Sequence, residues 1–94
     1  MKQYLSPDQT AKLIELGFEK PKSMNGEYNG LQFMPTPAYS IGELIEILGG
    51  VSELEITRFG SGWGAYDELR AFTSIELIDA LYDMIIMLKE EGVI

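Results

Sequence analysis

The sequence contains no cysteine and no histidine. Without thiols and imidazoles the chain can form no disulfide scaffold, no Cys/His zinc site, no cysteine nucleophile and no histidine-containing triad. Carboxylates alone suit hard ions, which they hold weakly, so we expect no bound transition metal and no cofactor. The missing residue types therefore exclude several large classes of enzyme and metalloprotein.

Positive charge is also scarce. The 7 Lys and Arg residues face 15 Asp and Glu residues, which gives a net charge of −8 at pH 7. Residues 1–30 are neutral overall, so residues 31–94 carry all of this charge. A surface of that sign repels phosphates, and we expect neither nucleic acid nor an anionic membrane to be a direct partner.

Long hydrophobic runs are missing too. The most apolar stretch, residues 75–88, contains three carboxylates and is shorter than the ~20 residues that span a bilayer. The first residues lack the apolar centre of a signal peptide, so we expect a cytoplasmic protein. With 94 residues, 46% of them hydrophobic, the chain predicts one folded domain over residues 1–94.

Three segments begin with the pattern of a helix capping box, in which a hydroxyl residue and a Gln or Glu three positions later satisfy each other's backbone amides. The three pairs are Ser6 with Gln9, Ser40 with Glu43, and Thr73 with Glu76. We predict that the third of these helices is the longest and runs from about residue 74 to residue 91, where Gly92 ends it.

The remaining segments predict turns and strands. Residues 54–59 alternate between apolar and polar as a strand with one buried face does, and residues 63–66 are its hairpin partner across a glycine-rich turn. Residues 66–72 fit helical spacing and alternation equally, and we favour a strand or an extended loop. The sequence therefore predicts an α+β domain of order α-(β)-α-β-β-α, in which the C-terminal helix packs on an antiparallel hairpin or small sheet.

Between the first two helices the sequence is rich in turn residues. We predict a surface loop over residues 19–30, with a tight hairpin turn at Asn29-Gly30. Residues 31–34 follow as a short strand, which Pro35 and Pro37 close and confine to the edge of a sheet.

Several segments resemble, in the same order, uncharacterised small proteins encoded by phages and mobile elements of gut bacteria. The segments that carry the resemblance are Leu5-Ser6-Pro7-Asp8-Gln9, Pro37-Ala38-Tyr39-Ser40-Ile41-Gly42-Glu43-Leu44-Ile45 and Glu76-Leu77-Ile78-Asp79-Ala80-Leu81-Tyr82. Members of that group place a branched residue where this chain has Ala65. The resemblance implies a shared fold and no particular activity.

The last helix combines two unequal surfaces. Its acidic residues form one narrow stripe on a helical wheel, made of Glu76, Asp79, Asp83 and Glu90. Apolar residues cover more than half of the remaining circumference, which is wider than one packing face needs. We therefore expect a contact with a second helix or another chain, with Trp63, Met84 and Met87 as candidate interface residues.

Three functions stay open on the sequence alone. The first is a non-enzymatic protein–protein interaction module whose partner is an unknown protein or the chain itself. The second is an acidic protein that mimics nucleic acid and inhibits a host protein. The third is a small hydrolase that uses paired carboxylates. Because the carboxylates fit a solvated surface better than an active site, we identify no catalytic, cofactor-binding or metal-binding residue and expect no enzymatic activity.

Overall fold

The computed structural model describes residues 1–29, 32–51 and 54–94. Within these ranges the chain forms three α-helices, five strands and one 3₁₀ turn. In chain order they are α1 (Pro7–Glu15), β1 (Met24–Asn29), β2 (Gln32–Pro37), α2 (Ile41–Ile47), the 3₁₀ turn (Leu48–Gly50), β3 (Glu55–Phe59), β4 (Gly62–Tyr66), β5 (Ala71–Ser74) and α3 (Leu77–Glu90).

The first two helices begin as the sequence predicts. At α1 the Ser6 hydroxyl accepts a hydrogen bond from the backbone N–H of Gln9 (3.2 Å), while Gln9 Oε1 accepts one from the backbone N–H of Ser6 (2.9 Å). At α2 the same reciprocal pair joins Ser40 and Glu43, at 3.2 Å in both directions. Both capping boxes are confirmed, and each fixes the point where the chain turns into its helix.

The predicted start of the last helix is wrong. Thr73 and Ser74 belong to β5, where Ser74 pairs with Trp63 of β4. The helix α3 therefore begins at Leu77, and Glu76 precedes it as the N-cap without a side-chain capping bond. Because Thr73 and Ser74 pair with β4 in the sheet, they do not form the predicted capping box.

The predicted surface loop over residues 19–30 is wrong for residues 24–29, which form β1. This strand pairs antiparallel with β2, from Met24 opposite Pro37 to Asn29 opposite Gln32, and we call the pair the ribbon. The predicted turn at Asn29-Gly30 extends beyond the described residues. The prolines do not close β2 but lie within it, because each strand of a two-stranded ribbon has a free edge that needs no N–H donor.

The other three strands form a separate antiparallel sheet in the order β3-β4-β5. The pairing of β3 with β4 confirms the predicted hairpin. The ambiguous segment 66–72 resolves into the end of β4, a turn and the start of β5. In that turn the Asp67 carboxylate accepts hydrogen bonds from the backbone N–H groups of Leu69 (2.8 Å) and Arg70 (2.7 Å). Asp side chains commonly stabilise turns by hydrogen bonding to the backbone in this way.

The core lies between α3 and one face of this sheet, and α2 covers the neighbouring side of α3. On the sheet, Ile56, Ala65 and Phe72 form one cross-strand row that packs against the core. Among the described residues, the largest fully buried side chains are Leu5, Leu13, Leu44, Leu48, Ile78, Leu81, Met84, Ile85 and Leu88. The predicted α+β class, with the C-terminal helix packed on an antiparallel sheet, is confirmed.

Candidate interaction surface

The acidic stripe of α3 is partly occupied by the N-terminal segment. The backbone N–H of Lys2 donates to Glu76 Oε2 at 2.8 Å, and Lys2 Nζ donates to Asp79 Oδ1 at 2.8 Å. Gln9 joins the same network, because its Nε2 donates to Asp79 Oδ1 at 3.0 Å. Two of the four carboxylates of the stripe therefore hold residues 1–9 against α3.

The neighbouring carboxylates Asp79 and Asp83 in this stripe have pKa values that are shifted in opposite directions. Burial acts to raise the pKa of Asp79, but the hydrogen bonds from Lys2 and Gln9 and the charge of Lys2 outweigh it, and the pKa is lowered. The pKa of Asp83 is raised, first by desolvation and then by the negative charge of Asp79. Among the described residues, no group of three or more carboxylates is arranged to hold a metal ion.

The three candidate interface residues lie in different environments. Met84 is fully buried in the core, so it offers no surface to a partner. Met87, one turn further along α3, is 40% exposed. Trp63 is half-buried against the core, and the guanidinium carbon of Arg58 lies 5.3 Å from the centroid of its ring. The structure thus does not bring these three residues together into one patch.

A surface that the sequence pattern does not indicate lies on the other side of the sheet. Because side chains alternate between the two faces along a strand, the residues before and after Ile56, Ala65 and Phe72 belong to the face opposite the core. The register groups them as Glu55 with Tyr66 and Ala71, Thr57 with Gly64 and Thr73, and Phe59 with Gly62. We call this the outer face, and Glu55 is the one charged residue in it. Among the described elements, none packs on it, and Thr57, Phe59, Ala71 and Thr73 are exposed.

One end of the outer face forms a depression of about 460 Å³. It is lined by Phe59, Gly60, Ser61, Gly62, Thr73, Ser74 and Ile75, a set without any charged side chain. Phe59 is 46% exposed and Ile75 is 75% exposed. Gly60 has a φ of 52°, a conformation that favours glycine, and it lets β3 turn tightly into β4. The turn thereby brings Phe59 and Ile75 to the same end of the sheet.

A second cleft, of about 280 Å³, lies between the end of α1 and α2. Its floor includes Phe18, Tyr39 and Ile47. Its lining also carries the charged residues Glu19, Lys20, Lys22, Glu43 and Glu46. Two of its polar side chains form hydrogen bonds within the chain: the Tyr39 hydroxyl donates to the carbonyl of Glu19, and Glu43 Oε2 accepts from the backbone N–H of Lys22 at 2.9 Å. Desolvation, followed by the charges of Glu43 and Glu19, raises the pKa of Tyr39. These contacts fasten the base of the ribbon to α2.

Comparison with known proteins gives no match: no family model, no curated protein and no solved structure matches this chain. The resemblance to small proteins of phages and mobile elements therefore stays a prediction. No helix in the described part of the chain is long and apolar enough to cross a membrane.

Proposed function

We propose that this protein is a non-enzymatic protein-binding module and that the outer face of its three-stranded sheet is the contact surface. The observation that supports this proposal is the uncharged depression between Phe59 and Ile75. It occurs in a chain of which 23% of the residues are charged and whose net charge is −8. The centres of protein interfaces are depleted in charged residues in the same way.

The energetic argument concerns the two exposed apolar side chains. Fully burying an Ile or Phe side chain is worth roughly 1.5–3 kcal/mol relative to leaving it exposed. A lone exposed apolar residue is ordinary, but Phe59 and Ile75 line one depression together. A partner that covers this depression therefore recovers burial free energy that the folded chain alone does not.

The other two hypotheses have less support. A mimic of nucleic acid needs a row of free carboxylates, and two of the four carboxylates in the α3 stripe are bound by Lys2. A hydrolase needs a carboxylate pair beside a substrate cleft. The depression on the outer face has no ionisable side chain in its lining to serve as acid or base. The cleft between α1 and α2 has Glu19, Glu43 and Glu46 in its lining, but the Glu43 carboxylate already accepts hydrogen bonds from the backbone N–H groups of Lys22 and Ser40.

The test compares proteins captured by the immobilised wild-type chain, from a lysate of the organism that encodes it, with those captured by matched variants. Ile75→Lys and Phe59→Lys each place a charge in the depression, whereas Leu69→Lys places one at the β4–β5 turn, where Leu69 is 84% exposed. We expect the first two to abolish capture and Leu69→Lys to retain it. Circular dichroism confirms that each variant is folded. Capture that survives both Ile75→Lys and Phe59→Lys would contradict the proposal.

A further inference from the structure

We infer that the partner presents an extended segment, which adds to the three-stranded sheet as a fourth strand along the unpaired edge of β3. This segment carries a Lys or Arg residue beside Glu55 and a large apolar residue beside Phe59. The inference rests on the proposed function, because the added strand covers the outer face at its Phe59 end. It follows from the backbone groups of β3 and from the side chains next to them.

The strand β3 lies at an edge of its sheet. In the order β3-β4-β5 it has a neighbour on one side only, and β4 is the one described element with which it shares an extensive contact. The row of backbone N–H and C=O groups on the other side of an edge strand is a template for pairing with another chain. Extended peptides bind to sheets in this way, with backbone hydrogen bonds supplying affinity and side chains supplying specificity.

The register shows which backbone groups of β3 point outward. Opposite residues of an antiparallel pair alternate between pairs that exchange hydrogen bonds and pairs that do not. The two-residue turn after β3 closes on the pair Phe59–Gly62, which is of the hydrogen-bonded kind. Ile56 and Arg58 therefore belong to pairs of the other kind, and their N–H and C=O groups point away from β4. No backbone group elsewhere in the described part of the chain bonds to them.

The edge of β3 also lacks the features that commonly block pairing with other chains, which are proline, lysine and very short strands. By contrast, β2 contains Pro35 and Pro37, β1 contains glycine and asparagine, and β5 has only four residues. The five residues of β3 include no proline, glycine or lysine. Ile56, Thr57 and Phe59 are of the types that strands favour. Among the described edges, β3 is therefore the one that best accepts another strand.

The side chains of β3 specify which segment fits. Every second side chain of an added strand lies on the outer face, beside Glu55, Thr57 or Phe59. Phe59 is 46% exposed and lines the uncharged depression, so a large apolar neighbour buries both side chains. Glu55 is exposed and forms no ion pair with any described residue, so a Lys or Arg neighbour is favoured. These two neighbours are four residues apart along the added strand, a distance of about 13 Å.

Charge favours a basic segment of another protein over a second copy of this chain. The net charge of −8 attracts a basic partner and repels a second copy. Two copies that paired along β3 would also mismatch their side chains. Glu55 belongs to the outer face and Arg58 to the opposite face, where its guanidinium lies over Trp63. No antiparallel register of two copies then brings Glu55 of one beside Arg58 of the other with both outer faces on the same side.

The direct test titrates the isotopically labelled protein with a capped seven-residue peptide and follows the backbone amide signals by NMR. The peptide Thr-Ile-Thr-Val-Thr-Lys-Thr places Ile beside Phe59 and Lys beside Glu55 when it pairs antiparallel to β3, as β4 does. We expect a dissociation constant of about 1 mM or lower, with the largest shifts at Ile56 and Arg58. The reversed peptide, of identical composition, should bind more weakly. Equal or tighter binding of the reversed peptide, or no binding of either at about 1 mM, would overturn the inference.

Matched variants, each confirmed as folded by circular dichroism, separate the backbone edge from the side chains. Arg58→Pro removes an outward N–H group and should weaken the peptide roughly tenfold or more, whereas Arg58→Ala keeps this group and should change the dissociation constant less than about twofold. Thr73→Pro makes the same change on the opposite edge of the sheet and should leave binding unchanged. Glu55→Lys should weaken the Lys peptide roughly threefold and strengthen a peptide with Glu in place of Lys. Equal effects of Arg58→Pro and Arg58→Ala would contradict strand addition.

Capture experiments with the same variants separate this inference from the proposed function. If Ile75→Lys and Phe59→Lys abolish capture but Arg58→Pro leaves it intact, strand addition is overturned and the binding function stands. If the peptide needs the edge of β3 but capture survives Ile75→Lys and Phe59→Lys, the outer face is overturned as the contact surface. A wild-type dimer in sedimentation equilibrium that Arg58→Pro dissociates would show that a second copy occupies this edge, which overturns the basic segment as the partner.

Discussion

The ring of Tyr66 lies across Gly64, two residues earlier on the same strand and the same face of the sheet. A Cβ atom built on Gly64 would lie 2.6 Å from both Cε2 and Cζ of this ring. Gly64 is consequently buried, although it lies on the outer face, where no other described element covers it. An aromatic ring that covers a strand glycine in this way is a known device for compensating the missing side chain.

Gly64→Ala should therefore destabilise the fold. The methyl group needs space that the Tyr66 ring occupies, so the ring must turn away from its preferred conformation, at a cost of about 0.5–1.5 kcal/mol in the free energy of unfolding. Urea denaturation followed by circular dichroism measures this change. Gly49→Ala is the matched control, because a Cβ there meets no atom within 4 Å. If Gly64→Ala and Gly49→Ala have equal effects, the ring does not occupy this space.

Removing the Tyr66 ring tests its contact with Gly64 independently. In the background of Tyr66→Ala, the substitution Gly64→Ala should cost little, since nothing remains for the methyl group to displace. A double-mutant cycle measures this coupling, and additive effects of the two substitutions would contradict the described geometry.

Lys2→Met should lower stability at neutral pH and lose most of its effect in acid. The pKa of Asp79 is lower in the folded than in the unfolded chain, so its ion pair stabilises fully above the unfolded pKa of ~4 and is lost as the pH falls through the folded pKa. Both side chains retain contact with water, so we expect about 0.5–1 kcal/mol at pH 7. Denaturation of wild type and variant at pH 7 and pH 3 checks this, with exposed Lys20→Met as control. An equal difference at both pH values would contradict the assignment.

Asp67→Ala should destabilise the β4–β5 turn. It removes the acceptor for the backbone N–H groups of Leu69 and Arg70 and for the Arg70 guanidinium, whose Nη1 lies 3.0 Å from Asp67 Oδ2. We expect a loss of about 1–2 kcal/mol in the free energy of unfolding. Asp67→Asn, which keeps an acceptor for the backbone groups, should cost less. Glu68→Ala, at the exposed neighbouring position, should change almost nothing, and a cost equal to that of Asp67→Ala would contradict the turn geometry.

The two methionines of α3 should respond very differently to the same substitution. Met84→Ala leaves a cavity in the core and should cost about 2–5 kcal/mol. Met87→Ala, three residues later on the exposed side, should stay within about 0.5 kcal/mol of wild type. Thermal unfolding of the two variants measures this difference directly. A comparable loss at Met87 would show that its side chain is held in a contact, as the sequence hypothesis of an interface on this helix requires.

Sequence patterns that span only a few residues predicted the local structure well. The capping boxes at Ser6 and Ser40 need only a hydroxyl and a side chain three residues later, so they could be predicted from the sequence. The same pattern at Thr73 failed because β5 pairs with β4, a contact that the local sequence does not contain. Helical spacing likewise placed Met84 and Met87 on α3 without showing which of them its neighbours cover.

The outer face could not be predicted for a related reason. Its apolar side chains come from the end of β3, the end of β4 and the residue after β5, and none of these segments is hydrophobic by itself. Phe59 and Ile75 become neighbours only through the turn at Gly60 and the register of three strands. The ribbon was missed because its prolines and glycines, typical of loops, are tolerated where both strands are edges.

The hydrogen-bond network around Lys2 also couples local unfolding at the start of α1 to local unfolding at the start of α3. Gln9 caps α1 through Ser6 and at the same time donates to Asp79 in the first turn of α3, across 70 residues of sequence. Neither end can fray without disturbing the other, so the amide protons of both turns should exchange with solvent in one cooperative step. The first turn of α3 lacks a side-chain cap of its own, and its slow exchange therefore depends on a segment from the opposite end of the chain.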